Sequence, residues 1–226
     1  MDIGGKPMVV RVAQTCKQVI GETAVVVSTP DDEIEEVCHE HGINVHRSSM
    51  ACMSGTDRVA EFEKNSPSIG QIVNVQGDEP MLTTQVLESF LNQVQHSNQV
   101  SVGVTKLVSP EQVNSSSTVK VALSEGRLVY ASRSPLPVQL QKSEVTFWKH
   151  TGLYSFTPAS LEFFAQTRKG ALELAENVEI LRLVENGFAV RAVPVETYGR
   201  AVDTERDLNY VRSQWPLRTA SERQAK

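Results

Sequence analysis

The chain has 226 residues, of which 40% are hydrophobic and 22% are charged, and its formal net charge is −5. These values are typical of one globular α/β domain, with or without a small lobe; they argue against a nucleic-acid partner, and no apolar run approaches the roughly 18 residues that span a bilayer. The three cysteines, which show no CxxC spacing, suit a reduced cytosol and argue against a zinc site or a disulfide framework.

Helix and strand patterns alternate over the first part of the chain. They predict a helix from Pro7 to Ile20, a strand from Ala24 to Pro30, a helix from Asp31 to Gly42 and a strand from Ile43 to His46. This β-α-β order predicts a parallel sheet.

The next predicted helix begins within Ser54-Gly55-Thr56-Asp57-Arg58 and runs through Phe62. Thr56 and Asp57 are candidate N-caps, and Gly55 allows a close approach of the backbone. Taken alone, this pattern indicates a helix start and no ligand.

A short apolar strand that begins at Ile72 ends in the polar corner Gln76-Gly77-Asp78-Glu79-Pro80. In open α/β sheets, ligands bind beyond the carboxyl ends of the strands, so Asp78 and Glu79 are candidates for a functional role. The alternative is an Asx turn in which Asp78 only caps backbone amides. The local pattern does not separate the two interpretations.

The rest of the chain continues the alternation. We predict a helix from Thr84 to His96, a strand from Val100 to Val108 and a hairpin around Ser124-Glu125-Gly126. A polar loop from Gln139 to Thr146 precedes a strand from Trp148 to Phe156, and two helices follow, from Pro158 to Arg168 and from Leu172 to Arg182. The last predicted elements are a strand from Phe188 to Val195 and a helix that opens near Asp203 and frays from Trp215.

Several polar residues of this half have both a functional and a structural interpretation. The Arg133 guanidinium suits a substrate carboxylate, or it forms a surface ion pair. His150 and Tyr154 share one face of a strand and are either ligand contacts or packed core residues. Glu176 and Glu179 are one helical turn apart, which usually indicates a solvated face.

Several ordered segments resemble the CMP-Kdo synthetases, the 3-deoxy-manno-octulosonate (Kdo) cytidylyltransferases. The matching segments are Val73-Asn74-Val75-Gln76-Gly77-Asp78-Glu79-Pro80, Ser54 to Arg58, Tyr130 to Pro137, His150 to Phe156, Leu172 to Arg182 and Ala201 to Leu208. The resemblance covers nearly the whole chain. Because of the resemblance, we interpret Asp78 as a site residue rather than as a turn residue only.

The resemblance implies an α/β, Rossmann-like, mostly parallel sheet of the nucleotide-diphospho-sugar transferase type, flanked by helices. Residues 1–226 would form a single domain, with an antiparallel dimerisation and sugar-binding lobe at about 118–157. It implies a cytoplasmic homodimer that joins CTP and Kdo into CMP-Kdo and pyrophosphate, for lipopolysaccharide synthesis. Mg²⁺ is the implied cofactor, because such a metal takes one or two carboxylates together with phosphate oxygens.

The resemblance also implies roles for individual residues. Asp78 and Asp203 would be the catalytic and metal-binding pair. The alternative interpretation of Asp203 is that it only caps the N-terminus of the last helix. The predicted nucleotide-binding residues are Ser54, Gly55 and Thr56, and the predicted sugar-binding residues are Gln76, Arg133, His150, Tyr154 and Glu179.

The sequence departs from the family pattern at three places. Cys52 stands where many members have His, and Ile180 stands where they have Gln, which leaves open a different acidic sugar. Cys52 has no His or Asp partner pattern and is not expected to be a nucleophile. The family's first strand and phosphate-binding loop, which precede Gly5-Lys6-Pro7-Met8, are absent here. We therefore expect Met1 not to be the native start, and a third alternative is an inactive fragment that dimerises or binds sugar acids.

Overall fold

The fold is given by a computed structural model, which describes residues 1–67, 70–138 and 146–224. Its strands are β1 (Asp2–Ile3), β2 (Lys6–Pro7), β3 (Val26–Thr29), β4 (Asn44–Arg47), β5 (Ile72–Val75), β6 (Val100–Leu107), β7 (Lys120–Ser124), β8 (Arg127–Ser132), β9 (Phe147–Phe156) and β10 (Val190–Pro194). Its helices are α1 (Met8–Ile20), α2 (Asp32–Glu40), α3 (Gly55–Asn65), α4 (Thr84–Val94), α5 (Pro110–Asn114), α6 (Pro158–Gln166), α7 (Ala171–Glu176), α8 (Leu181–Glu185) and α9 (Glu205–Gln224). None of the helices within these ranges has the length and apolar character of a membrane span.

The chain divides into two units, and the first comprises Met1–Arg47, Val75–Glu88 and the chain from Tyr198. Its strands β3 and β4 pair in parallel, and α2 connects them, which confirms the predicted β-α-β segment. The Asp31 side chain caps α2 by accepting a hydrogen bond from the Ile34 N–H. This cap and the acidic first turn explain why the helix begins where the sequence predicts.

The core of the first unit joins both ends of the chain. It contains Ile3, Val202, Leu208, Val211 and Trp215. The Arg11 guanidinium lies 4.1 Å from the centre of the Trp215 ring. Gly4 has φ +57°, and an added Cβ would lie 2.4 Å from the same ring, so only glycine fits there. The prediction that the chain frays from Trp215 is therefore wrong, because burial of this ring ties α9 to the β1–β2 hairpin.

The second unit comprises Ser48–Asn74 and Ser89–Thr197, and its described strands form a six-stranded sheet in the order β5-β9-β6-β10-β8-β7. β6 and β10 run parallel, whereas β6–β9, β10–β8 and β7–β8 are antiparallel. β7 also pairs antiparallel with β9. The α/β class is as predicted, but the described pairings are mixed rather than mostly parallel, because hairpins as well as helical crossovers connect the strands.

The β7–β8 hairpin turns at Glu125 and Gly126, whose φ angles are +51° and +74°. Two positive φ angles in succession are typical of the type I′ turn that joins antiparallel strands. The hairpin predicted around Ser124-Glu125-Gly126 is therefore confirmed. It lies within the predicted lobe of residues 118–157, of which 139–145, most of the predicted polar loop, lie outside the described residues.

The helix predicted from Leu172 to Arg182 is wrong as a single element. Asn177 adopts a left-handed conformation with φ +51°, which ends α7, and α8 begins only at Leu181. Glu176 and Glu179 therefore do not share one helical face. The sequence shows the apolar spacing of both helices but not the break, because Asn is among the residues that tolerate this conformation without requiring it.

Candidate active site

The first unit holds the polar corner that follows β5. The Glu79 N–H donates to the Gln76 carbonyl at 3.3 Å and closes a tight turn, which leaves Asp78 half-buried. The Val202 N–H donates to the Asp78 carbonyl at 2.9 Å. This bond brings Asp78 beside Asp203, although the two lie far apart in sequence. The structure thus brings together the two predicted aspartates.

Asp203 is not the N-cap of α9. The cap is a reciprocal pair, in which the Thr204 N–H donates to Asp207 Oδ2 at 3.0 Å and the Asp207 N–H donates to Thr204 Oγ1 at 3.2 Å. Burial alone would raise the pKa of Asp207, but hydrogen bonds from Thr204 and Arg200 lower it overall. The exposed carboxylate of Asp203 therefore does not cap α9.

The donor chemistry of this corner fits a magnesium ion. Among the described residues, no group of three or more His, Cys, Asp and Glu side chains forms a complete cation site. Mg²⁺ does not need one, since it keeps several waters and takes one or two carboxylates together with substrate phosphates. Asp78 and Asp203 supply two such carboxylates from adjacent backbone.

The predicted nucleotide motif forms the N-terminus of α3 in the second unit. Ser54, rather than Thr56 or Asp57, is the N-cap: its Oγ accepts from the Asp57 N–H at 3.1 Å and donates to Asp57 Oδ2 at 2.9 Å. Thr56 is fully buried, and its Oγ1 has no hydrogen-bond partner in the described part of the chain. The Thr56 N–H donates to Glu179 Oε2 at 3.1 Å. The structure therefore joins a predicted nucleotide residue to a predicted sugar residue.

A buried ion pair lies behind this motif. Arg182 Nε and Nη2 donate to the two carboxylate oxygens of Glu173 at 2.7 Å each, and Nη1 reaches Asp57 Oδ1 at 3.1 Å. The Arg182 guanidinium also covers the Phe164 ring at 3.7 Å. Burial alone would lower the pKa of Arg182, but the Glu173 and Asp57 carboxylates raise it overall. Asp57 is thus held from two sides, by the cap and by Arg182.

Arg133 follows β8, and the surrounding backbone holds its guanidinium. Nε donates to the Glu176 carbonyl at 2.9 Å, Nη1 to the Ser116 carbonyl at 3.0 Å and Nη2 to the Asn177 carbonyl at 3.5 Å. None of the described carboxylates forms an ion pair with this guanidinium. Among these residues the Glu176 carboxylate interacts with the charge of Arg133 at longer range, and the guanidinium has no direct anionic partner, as an anion-binding arginine requires.

A second cation lies beside Arg133. Lys120 is fully buried, and its Nζ donates to the carbonyls of Ser115 and Thr118 at 2.7 Å each and to the carbonyl of Arg133. Burial, and next the charge of Arg133, lower the pKa of Lys120. Three carbonyl acceptors stabilise the ammonium group in place of a carboxylate. Lys120 thus adds a second positive charge beside Arg133, and the Glu176 carboxylate offsets part of this charge.

His150 and Tyr154 lie on the same face of β9, as predicted, with ring centroids 4.9 Å apart. Burial, and then the charge of Lys149, lower the pKa of His150 from 6.5 to about 4. His150 is therefore neutral at pH 7. Its Nε2 is buried without a hydrogen-bond partner among the described residues, so this atom is the one available to a ligand.

Cys52 precedes the nucleotide motif and is not activated. Its Sγ donates to Glu61 Oε2 at 3.2 Å. Burial and the Glu61 carboxylate raise the pKa of the thiol to about 11. A thiol with this pKa is protonated at pH 7, in agreement with the prediction that it is not a nucleophile.

Sequence reasoning missed the residues that support the site. The sequence analysis assigned no role to Lys120 or Arg182, and it interpreted Glu176 as part of a solvated face. Only the position of Glu176 and Arg182 within the Leu172–Arg182 motif distinguished them, and nothing local distinguished Lys120.

Comparison with known proteins identifies the family. A family model described as cytidylyltransferase matches residues 1–196. A 3-deoxy-manno-octulosonate cytidylyltransferase of Polynucleobacter asymbioticus is 37% identical in an alignment 221 residues long, which covers 93% of this chain and 86% of that protein. The chain belongs to the 3-deoxy-manno-octulosonate cytidylyltransferase family. A member of the same family from Wolinella succinogenes is 36% identical and covers 92% of this chain and 88% of its own length.

Solved structures agree with this family. The structure of a CMP:2-keto-3-deoxy-manno-octonic acid synthetase complexed with CTP superposes with a TM-score of 0.88 at 30% identity, over 96% of this chain and 91% of that chain. A 4-diphosphocytidyl-2C-methyl-D-erythritol synthase from Anaerococcus prevotii has a TM-score of 0.64 at 13% identity, over 95% and 88% of the two chains. The second likeness shows the fold alone. The family predicted from the sequence motifs is confirmed.

Proposed function

We propose that this protein is a cytidylyltransferase that joins CTP and Kdo into CMP-Kdo and releases pyrophosphate, as a step in lipopolysaccharide synthesis. The observation that carries the proposal is the likeness over nearly the whole chain to relatives that share this one activity. We also propose the Rossmann-like type of fold that the family resemblance implies, and a cytoplasmic location.

The reaction attaches the anomeric hydroxyl of the sugar to the α-phosphorus of CTP and expels pyrophosphate. It depends mainly on positioning and on the stabilisation of negative charge. In the first unit, Asp78 and Asp203 would hold Mg²⁺, and Gln76 would contact the sugar acid. When bound, Mg²⁺ supplies charge neutralisation at the phosphates and lowers the pKa of the attacking hydroxyl.

In the second unit, Arg133 would bind the sugar carboxylate, since no described carboxylate is in direct contact with its guanidinium. The neutral His150 and Tyr154 would hydrogen-bond sugar hydroxyls. Ser54, Gly55 and Thr56 would form the nucleotide-binding backbone, because the buried side chain of Thr56 favours contact through the main chain. Glu179 stays a predicted sugar contact, and its bond to Thr56 gives it a further role.

The test is the release of pyrophosphate with CTP, Kdo and Mg²⁺. We expect activity in the wild type and a loss of at least about a thousand-fold in Asp78→Asn and Asp203→Asn, since each removes a charged metal ligand. Binding of Mn²⁺, followed by paramagnetic resonance with CTP present, should weaken in both variants. Asp32→Asn is the matched control, because this carboxylate is 91% exposed on α2.

Two outcomes would support other functions. Activity with a different acidic sugar, but not with Kdo, would favour the alternative motivated by Cys52 and Ile180; the structure places Ile180 in the core, only 1% exposed. Absence of CTP binding in the folded wild type would favour a non-enzymatic sugar-binding or dimerising protein.

We further propose that the protein is a homodimer that uses the region of residues 118–157. Val129 on β8 lies in this region and is 47% exposed, so its side chain is accessible to a second copy of the chain. Analytical ultracentrifugation should show a dimer for the wild type and a weakened dimer for Val129→Lys. A monomeric wild type would contradict the proposal.

A further inference from the structure

The turn between α7 and α8, residues 176–179, contacts two predicted substrate motifs of the second unit. Its shape is set by Asn177, whose left-handed conformation ends α7. Its first residue, Glu176, contacts the Arg133 segment, and its last residue, Glu179, contacts the N-terminus of α3. We call residues 176–179 the anchor turn.

Glu176 makes two hydrogen bonds with Arg133 and two with the neighbouring residues Ser132 and Tyr130. The Arg133 N–H donates to Glu176 Oε2 at 2.8 Å, and the Arg133 Nε donates to the Glu176 carbonyl at 2.9 Å. The hydroxyls of Ser132 and Tyr130 donate to Glu176 Oε1 at 2.6 Å and 3.1 Å. Both the main chain and the side chain of Arg133 are thereby oriented by one residue.

The Glu176 carboxylate is an acceptor and not an ion-pair partner of the guanidinium. Burial alone would raise its pKa, but the bonds from Ser132, the Arg133 N–H and Tyr130, and after them the charge of Arg133, lower it overall. Three of the five N–H groups of an arginine side chain donate to backbone carbonyls at Arg133. The other two have no acceptor in the described ranges of the chain and are the groups that a ligand carboxylate would contact.

Glu179 acts on the other motif. Its Oε2 accepts the hydrogen bond of the Thr56 N–H, one of the N-terminal amides of α3 that have no acceptor within the helix. Arg182, three residues later, reaches Asp57 Oδ1 in the same helical turn. The position of the Ser54-Gly55-Thr56 backbone thus depends on the anchor turn and on the helix that follows it.

We propose that Glu176 and Glu179 are positioning residues of separate substrates: Glu176 orients Arg133 for the carboxylate of the acidic sugar, and Glu179 orients the Thr56 backbone for the nucleotide. This inference rests on the proposed function and deepens it. Neither residue needs to touch the reacting atoms, because each acts through a hydrogen bond to another residue of the site.

The test measures the KM for CTP and the KM for Kdo in two alanine variants. Glu176→Ala removes three acceptor contacts around Arg133, so we expect the KM for Kdo to rise about ten-fold and the KM for CTP to change by less than about two-fold. Glu179→Ala removes the acceptor of the Thr56 N–H, so we expect a rise of about ten-fold in the KM for CTP. Because Glu179 is also a predicted sugar contact, the KM for CTP, and not the KM for Kdo, is the readout for this variant.

Conservative variants provide the rescue. In Glu176→Gln, the amide oxygen can accept from the Arg133 N–H while the amide nitrogen donates to the two hydroxyls; in Glu179→Gln, the amide oxygen can accept from Thr56. We expect both to stay within about three-fold of wild type. Glu162→Ala, an exposed carboxylate on α6, is the matched control. If Glu176→Ala does not fold, Glu176→Asp tests the same contacts, since its shorter side chain cannot reach all three donors.

A rise confined to the KM for Kdo in Glu176→Ala, together with a rise in the KM for CTP in Glu179→Ala, supports the proposal, because general loosening of the unit would raise the KM for CTP in both variants. A raised KM for CTP in Glu176→Ala, or an unchanged one in Glu179→Ala, overturns it. A folded wild type without activity on Kdo would refute the proposed function and the role of Glu176 with it. Calorimetric CTP binding by the wild type and Glu179→Ala would then decide the role of Glu179, and equal affinities would overturn it.

Discussion

Two arginines of the second unit differ in the groups that hold them. Arg182 is buried, and its charge is matched by both oxygens of Glu173 and by Asp57. Arg133 is half-buried, and its guanidinium donates to three backbone carbonyls. Carboxylates neutralise a charge, whereas carbonyls fix its position without cancelling it. Arg182 is therefore suited to hold the fold, and Arg133 is suited to bind an anion.

We expect the largest effect on the free energy of unfolding from substitution of Arg182. Arg182→Ala leaves the Glu173 carboxylate buried without its partner, so we expect the free energy of unfolding to fall by about 3–5 kcal/mol, measured by urea denaturation. The double variant Arg182→Leu, Glu173→Leu removes both charges and should recover part of the loss. A decrease of less than about 1 kcal/mol in the free energy of unfolding of Arg182→Ala would show that water reaches the ion pair of Arg182 and Glu173.

Substitution of Arg133 should change the KM for Kdo much more than it changes stability. Arg133→Ala removes the charged fork and should raise the KM for Kdo about 100-fold while changing the free energy of unfolding by about 1 kcal/mol or less. Arg133→Lys keeps the charge but not the fork and should be affected about ten-fold. An unchanged KM together with a large loss of stability would make Arg133 a structural residue like Arg182.

His150 extends the comparison to a group that burial keeps neutral. Its folded-state pKa is lowered from 6.5 to about 4, so its contribution to stability is complete above pH 6.5 and is lost as the pH falls towards 4. We expect the wild type to lose about 2–3 kcal/mol more than His150→Gln over this range. Urea denaturation at a series of pH values checks it. Equal pH slopes for the two proteins would show that His150 is not buried neutral.

The smallest expected effect concerns Asp57, which Arg182 shares with the cap of α3. Ser54→Ala removes the side chain that accepts from the Asp57 N–H, and should lower the free energy of unfolding by about 1 kcal/mol. Ser54→Thr keeps the cap and should cost less. Thermal unfolding of both variants checks this order. No loss in Ser54→Ala would mean that Arg182 alone holds the start of α3.

Much of the fold could be read from local pattern. The β3-α2-β4 order, the cap at Asp31 and the β7–β8 hairpin follow from periodicity and turn residues that act within a few positions. The mixed strand directions of the sheet could not be predicted from the sequence, because they depend on which distant segments of the chain pair. The break at Asn177 was missed, because the apolar spacing of α7 continues into α8.

The candidate site divides in the same way. The corner at Asp78 and the motif at Ser54 are contiguous in sequence, so both could be recognised as motifs, and the family followed from them. The supporting contacts could not be recognised: Glu176 lies 43 positions from Arg133, and Glu179 lies 123 positions from Thr56. The sequence by itself determined the family and most of the element types, and it predicted the two aspartates. Only the tertiary structure decided which charges are neutralised and which stay available, because that depends on neighbours that the chain brings together from far apart.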